Sequence, residues 1–508
     1  MFLHFDFDYR SENDFFEYLL RYYAKDYEYT VKREKNKISL SINSQKGNLD
    51  EFCNNFNLMP NSLFLSSFDV KAIDEEFKAS EDIKKDFEKK DFLSQINAKA
   101  YREDGVLLEN EWGAFVDDTI SFDKENFIQI NKENFNECLN KAIDLLKNSK
   151  DIFIKNHLGI YSINIFDYKN LKTFLMPTET KALKLAFVCS NENFRLLASF
   201  EKPLVNLRFS KPFKEKYGLK NQTFKVKFPN NIFLFALGLN LFKDDIKFLS
   251  FEKIENYEDD FEVFEQDKRL IVKRGFDFID KKAKDIIFSK DDKNMARISY
   301  ILSLFDEKSF LLELSKDYDD ILLVNKENNI LNLKLPRSFE EIFNEISKDS
   351  IGARLLKNFS SAFRLNSGKF ESKNNFFSLF GIVAMILGFG DDIKQAANKM
   401  LNEVDESRLE RGVKIDYRLK ENLQEFDYTR TVRSVMSFML AGVPSKDIAY
   451  GLVESLAYFL RDTYDDLREK KQVEIAIISG SLFESTTLLK NSLKHIKNCK
   501  TSDVALRI

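Results

Sequence analysis

The chain has 508 residues, 44% of them hydrophobic and 31% charged, with 78 basic against 82 acidic side chains. That length suggests about three domains, the apolar share excludes global disorder, and the near balance of charge excludes a broad phosphate-backbone footprint. Phe is abundant at 51 residues, while Gly is 16, Pro 7 and His 3. Average usage would give about 36 Gly, so phosphate-cradling loops and histidine metal sites have little raw material. The excess of Phe, Lys and Asn reads as low-GC codon bias.

Residues 1–72 read as one small unit. FLHFDFDY alternates with period two and predicts a strand. SENDFFEYLLRYYAKDY predicts a helix with Ser11 as N-cap and Phe15, Leu19 and Tyr22 at helical spacing. EYTVKR and KISLSI predict strands around a tight turn, LDEFCNNFNL a helix and SLFLSSFDV a last strand. The resulting β-α-β-β-α-β order is the ferredoxin-like arrangement. Residues 73–131 are charged and weakly patterned. There EEFKASEDIKKDFEKKDFLSQI predicts a solvated helix, and Trp112 reads as a partly buried packing residue.

Residues 132–335 read as mixed α/β. ENFNECLNKAIDLLKNSK is an amphipathic helix, and DIFIKNHLGIYSINIF gives two strands broken at Asn156-His157. LKLAFVC, KPLVNLRF, TFKVKF, NIFLFALGLNL and RLIVKRGF read as further strands. Residues 336–508 are mostly helical. FFSLFGIVAMILGF, DDIKQAANKMLNEV, TRTVRSVMSFML and IAYGLVESLAYFLRDTYDDL predict helices, the last capped by Pro444 and Ser445. VEIAIIS is an apolar strand, and a Ser-Gly-Ser turn leads from it into LFESTTLLKNSLKHI.

The apolar run Phe376 to Gly390 is shorter than the roughly 18 residues a membrane span needs. The N-terminal MFLHFDFDYR carries acids inside its first apolar stretch, unlike a signal peptide. Cys53, Cys138, Cys189 and Cys499 form no C-x-x-C pair, so no zinc is expected, and free thiols fit a cytoplasmic location. The histidines, at 4, 157 and 495, are too far apart for an H-E-x-x-H site. No P-loop, G-x-G-x-x-G or G-x-S-x-G is present. Acidic doublets such as Asp391-Asp392 are explained by caps and solvated faces. The strongest chemical signal is the strand–turn–helix from Ile475 to Lys490. There a helix N-terminus and turn amides make an anion site, with Ser479, Gly480 and Ser481 as contacts; the bland alternative is an ordinary α/β turn. His157, near Lys155, sits in a strand break.

The C-terminal third resembles the HypF family of hydrogenase-maturation carbamoyltransferases. Leu379 to Gly388 follows L-F-D-A-V-A-A-L-L-G, Gln395-Ala396-Ala397 follows Q-A-A, and Gly442 with Ile448-Ala449 resembles the later G…I-A-A-R-F-H helix. Ile478 to Phe483 resembles L-S-G-G-V-F, and Thr501-Ser502-Asp503 sits at the final P-N-D. Upstream, Lys141 to Gly159 is similar to the YrdC-like stretch ending I-K-G-x-G-G-F-H, and Lys202 to Val205 resembles R-P-I-V. The resemblance implies a multidomain α/β chain. An acylphosphatase-like ferredoxin-fold domain would occupy 1–72, with a charged linker at 73–131 in place of zinc fingers. A YrdC-like region would span 132–335, and a shortened, helix-rich, TsaD-like transferase domain of the actin/Hsp70-like (ASKHA) fold 336–508.

The departures from the family are specific. Acylphosphatase chemistry needs an Arg in a Gly-rich cradle and an Asn for water, but Ser11 to Phe16 puts Phe16 at the Arg position, and Arg33 is near the Asn position. The tandem metal histidines are missing, Gly381 replaces the Asp of L-F-D-A-V, and Ser481 replaces the second Gly of S-G-G. The implied nucleotide contacts are Lys155, Ser479, Gly480 and Ser481, for ATP and Mg²⁺, with Asp503 at a metal position that one carboxylate cannot fill alone. Three readings follow. The first is a catalytically eroded scaffold or accessory factor in [NiFe] hydrogenase maturation, partnered by maturation proteins or a hydrogenase subunit. The second is an active carbamoyl-adenylate transferase using non-standard residues. The third is a binding module linked to tRNA-modification proteins, although net acidity argues against direct nucleic-acid binding. Whether the chain is an enzyme stays open at this level.

Overall fold

A computed structural model describes residues 2–11, 13–43, 49–73, 89–219, 223–276, 282–326, 328–420 and 425–508. It is a multidomain α/β protein with three sheets among the described residues, forming two compact units: 1–265 with 274–286, and 266–273 with 287–508. Among the described residues no helix is long and apolar enough to cross a membrane.

The first unit opens with β1 (Phe2–Tyr9), α1 (Phe15–Ala24), β2 (Tyr29–Glu34), β3 (Lys37–Asn43), α2 (Leu49–Phe56) and β4 (Leu65–Ile73). Their four-stranded sheet has the order β2-β3-β1-β4, and every pairing is antiparallel. Period-two alternation sends Phe5, Phe7 and Tyr9 of β1 into the core, where Phe7 meets Phe16 of α1 edge-on. The helix starts later than its sequence suggests. Asp14 holds the N-cap position, while the Ser11 hydroxyl accepts from Asn13 Nδ2 at 2.7 Å.

The unit continues through α3 (Gln95–Asp104), β5 (Thr119–Ser121), β6 (Ile128–Gln129), α4 (Phe135–Lys147), β7 (Ile152–Asn156), β8 (Gly159–Ile165) and β9 (Phe174–Pro177). Then come α5 (Thr180–Ala186), β10 (Phe187–Val188), α6 (Asn191–Ala198), β11 (Leu204–Phe209), α7 (Lys211–Tyr217), β12 (Thr223–Val226), α8 (Ile232–Lys243), β13 (Phe248–Asn256) and β14 (Glu262–Gln266). Hydrogen-bonded neighbours run β14-β11-β12-β9-β13-β8-β7-β5-β6, with β10 on β11. Trp112 is buried against Phe15 and Tyr18. Most of the solvated helix expected near 75–96 lies outside the described residues, and α3 begins only at Gln95.

Two expected strands are helices. NIFLFALGLNL forms α8, with the Asn231 side chain accepting from Leu234 N at 3.1 Å. It is apolar nearly all round because it is buried nearly all round, so no period marks it; length and the absence of β-branching after Ile232 are the only cues. In LKLAFVC the helix α5 runs to Ala186, with Ala182, Leu183 and Ala186 buried at helical spacing. Only Phe187 and Val188 pair as strand.

The chain then passes through β15 (Arg269–Arg274) and α9 (Lys282–Phe288) into α10 (Lys293–Ser303), β16 (Ser309–Glu313), β17 (Ile321–Val324) and β18 (Asn328–Asn329). The helices α11 (Phe339–Ile346), α12 (Ser350–Ala362), α13 (Phe376–Ile386), α14 (Ile393–Asp405), α15 (Tyr428–Leu440) and α16 (Ser445–Glu469) follow. β19 (Ile475–Ser479), a 3₁₀ turn, α17 (Thr486–His495) and β20 (Cys499–Thr501) end the second unit. Its five-stranded sheet has the order β18-β17-β16-β19-β20, with β16, β19 and β20 parallel.

Helices α13 and α14 meet at Gly381. A Cβ there would lie 2.4 Å from Ile393 Cγ2 and 2.6 Å from the Ile393 carbonyl oxygen. Gly381→Ala is therefore expected to cost about 1–3 kcal/mol through overpacking, read as a lower urea midpoint. An unchanged midpoint would mean that the two helices separate without penalty.

Candidate functional site

A cavity of about 600 Å³ opens in the first unit. Its walls come from the residues before β5, the β7–β8 turn, the end of α6 and the residue after β12. Lys155 lies on its exposed rim. Asn156 Oδ1 accepts from Leu158 N at 3.0 Å and shapes the turn. Gly159 completes it at φ +151°, where a Cβ would meet the Glu255 carbonyl oxygen at 2.1 Å, so only glycine fits. His157 is solvent-exposed at the mouth, yet desolvation by the surrounding walls, with Lys90 and Lys227 adding repulsion, lowers its pKa to about 4.

Deeper, ionisable groups are taken out of water. Lys202 Nζ donates to the carbonyls of Ala198 at 2.8 Å and Ser199 at 2.6 Å, capping α6 with a cation. Burial brings that ammonium down to about 8. Glu201 accepts from the Ser62 hydroxyl and from Leu63 N, and burial pushes it up to about 6. Asp118 accepts from Asn231 Nδ2 at 2.8 Å, and burial pushes it up to about 6. Asp91 and Asp117 each accept from the other's backbone N–H at 3.0 Å, and Asp91 is pushed up by burial and then by Asp118 and Asp117. Burial lowers Lys227 as well. Lysines at the rim and within give an anion several cations to meet, while the carboxylates keep the pocket from being uniformly positive. Among the described residues no group of three His, Cys, Asp or Glu side chains could hold a metal ion.

The other sequence-derived candidates lie in the second unit. Ser479 ends β19 beside Glu313 of β16. Its hydroxyl accepts from Arg297 Nη1 at 2.8 Å, and the same guanidinium pairs with Glu313, both being almost fully buried. Gly480 has φ +99°, and a Cβ would lie 2.2 Å from the Leu314 carbonyl oxygen. The Ser481 hydroxyl accepts from Lys316 N at 2.8 Å, and Leu482 N donates to Leu314 O at 2.9 Å. At the start of α17, Asp405 Oδ1 accepts from Thr487 N and from the Ser485 hydroxyl, each at 2.8 Å. The Ser479 and Ser481 hydroxyls are thus taken by donors of the chain itself, and Leu482 N, Thr487 N and the Ser485 hydroxyl by its oxygens. Asp503 is half-buried just beyond β20. Lys155 belongs to one unit, and Ser479, Gly480, Ser481 and Asp503 to the other.

The N-terminal loop has a distinct electrostatic character. Arg33 Nη2 donates to Ser11 O at 2.6 Å and Nη1 to Asn13 O at 2.7 Å, with Asp14 at 3.3 Å. Among the described residues two carbonyls and the Asp14 carboxylate converge there and hold a cation. Phe16 is fully buried and stacks on Tyr9 at 4.7 Å.

Lys155, which the family resemblance implied as a nucleotide contact, lines the cavity, while Asp118, Glu201 and Lys227 were not singled out from the sequence. The available signal was the Asp117-Asp118 doublet directly before the short strand β5 and the Glu-Lys pair directly before Pro203. The folded Asp118 holds its proton more tightly than an unfolded Asp, so its contribution to stability is full at low pH and is lost as pH rises through about 6. Asp118→Asn should therefore lose less stability than the native chain as pH rises from 3.8 to about 6, measured as urea midpoints. Equal losses would clear Asp118 of that role.

No protein-family profile matches the sequence. The chain is similar to Protein HydE of Wolinella succinogenes, at 22% identity over 394 residues, covering 71% of this chain and 72% of that protein. In structure it matches full-length HypF in its phosphate- and nucleotide-bound form, with a TM-score of 0.57 and 13% identity. It also matches HypF of T. kodakarensis, with a TM-score of 0.55 and 11% identity. Each match covers 100% of this chain and 96% of the other. The chain thus has the fold of full-length HypF over its whole length and is a distant sequence relative of HydE.

Proposed function

We propose that the chain serves [NiFe] hydrogenase maturation as an accessory or scaffold protein, with its acyl-phosphate step lost. The observation that carries this reading is the N-terminal loop, where carbonyls converge on Arg33 in place of amides converging on phosphate. An oxyanion brought there would find the Arg33 guanidinium already shared by two carbonyls and Asp14, and would have to displace those oxygens to reach it. The β2-β3-β1-β4 order supports an acylphosphatase-like, ferredoxin-fold assignment for 1–72. We extend the same reading to a YrdC-like assignment for the rest of the first unit, which takes in β5 and β6 of the expected 73–131 linker, and to a shortened TsaD-like, actin/Hsp70-like assignment for the second unit, whose sheet takes in β16 to β18 of the expected 132–335 region. The partners of this reading are other maturation proteins or a hydrogenase subunit. Tagged full-length chain, purified from its own cells, should bring down one of them; recovery of unrelated proteins alone would sink the proposal.

The cavity favours a second reading, in which the first unit still binds a nucleotide and the chain acts as a carbamoyl-adenylate transferase. Full-length HypF has been crystallised with phosphate and nucleotide, and Lys155 and Lys227 supply cations suited to a phosphate chain. Ser479, Gly480, Ser481 and Asp503 remain the candidates for a second nucleotide position. Calorimetric titration with ATP and Mg²⁺ should give saturable heat, weakened about ten-fold, or 1.4 kcal/mol, in Lys227→Ala. No heat at millimolar nucleotide removes the transferase reading and leaves the scaffold reading standing.

A further inference from the structure

β4 is the last strand of the N-terminal sheet and its only described neighbour is β1. It is nine residues long, contains no Pro, and is exposed from Ser66 to Ala72. Native sheets protect such edges with charges, bulges or a covering element, because the outward N–H and C=O groups otherwise template another strand. Here the one register irregularity falls at Asp8 and Tyr9 of β1, opposite the beginning of β4, and leaves the stretch from Ser67 onward regular.

The two faces of β4 differ. Phe68 and Val70 lie opposite Phe7 and Phe5, on the side of the sheet that carries the helices. Phe7 and Phe5 are buried, yet Phe68 is 62% exposed and Val70 40%. On the other side Asp69 lies directly opposite Asp6, and Lys71 opposite His4. Asp6 is well supplied, with Lys71 Nζ at 3.0 Å, His4 Nε2 at 3.0 Å and the Ser39 hydroxyl at 2.8 Å. Asp69 faces a like charge and makes no hydrogen bond or ion pair among the described residues. Like charges directly opposite each other destabilise a strand pair.

We infer that two copies of this chain pair through β4, antiparallel about Val70, joining two four-stranded sheets into one. The sequence Asp69-Val70-Lys71 is self-complementary in that register. Asp69 of each copy meets Lys71 of the other, Val70 meets Val70, and Phe68 meets Ala72. The incoming Lys71 lies beside the Asp6–Asp69 repulsion and offsets it. The pairing is isologous and closes on itself, so it yields a dimer and not a fibre. This inference is independent of the maturation reading, since it concerns only the edge of one sheet.

Sedimentation of the full chain should show a monomer–dimer equilibrium below roughly 100 μM. D69K alone and K71E alone should each weaken it at least about ten-fold, since each sets like charges opposite. An equimolar mixture of D69K and K71E should restore it. In the mixed pair the introduced lysine of one chain faces the introduced glutamate of the other, and the native Lys71 of the first faces the native Asp69 of the second. Native β4 amides should also exchange more slowly as protein concentration rises, which reads the interface without any variant. A native chain that stays monomeric overturns the proposal, as does a dimer that D69K leaves intact. Failure of the mixture to re-form a dimer, with both variants folded by circular dichroism, overturns the register.

Discussion

The contact between Arg297 and Glu313 organises the second unit. The two side chains come from α10 and β16, and Ser479 of β19 joins them through its hydroxyl. Separating a guanidinium and a carboxylate at such depth would leave an uncompensated charge, typically a loss of about 3–5 kcal/mol. The pair therefore holds α10, β16 and β19 in one arrangement. It also determines what the turn after β19 can do. Glu313 Oε2 has no hydrogen-bond partner among the described residues, so local charge balance depends on Arg297. Gly480 is pressed against Leu314 within the same group.

The first unit uses buried charge differently. There the ionisable groups line a space instead of closing one. Lys202 completes a helix end, Glu201 ties the Ser62 hydroxyl and the Leu63 N–H, and Asp118 holds Asn231, which caps α8. Each is satisfied structurally before any ligand arrives. Preformed polar walls of this kind orient a guest at low reorganisation cost. The cavity and the sealed turn thus represent opposite outcomes of the same chemistry, charges withdrawn from water, distinguished by whether a partner charge fills the space.

The sequence carried the N-terminal unit well, because alternation and helical spacing there are uninterrupted from FLHFDFDY to SLFLSSFDV. The break at Asn156-His157 likewise marks the turn at the end of β7, beside which Lys155 lines the cavity. The sequence did not carry α8, which is buried on nearly every side and so has no polar face to set a period. Nor could it carry the cavity: Asp118, Glu201 and Lys227 converge only through sheet pairing, and nothing in their local neighbourhoods records that. The occupancy of Ser479 and of the start of α17 was invisible for the same reason, because Arg297 reaches Ser479, and Asp405 reaches Ser485 and Thr487, from distant parts of the sequence.

Gly381 fixes how closely α13 and α14 can approach. Its missing side chain lets the Ile393 carbonyl and Cγ2 sit where a Cβ would stand. Any larger residue at 381, a carboxylate included, would have to be preceded by changes around Ile393 that spread the two helices. The contact is therefore a locked step: neither residue can enlarge alone.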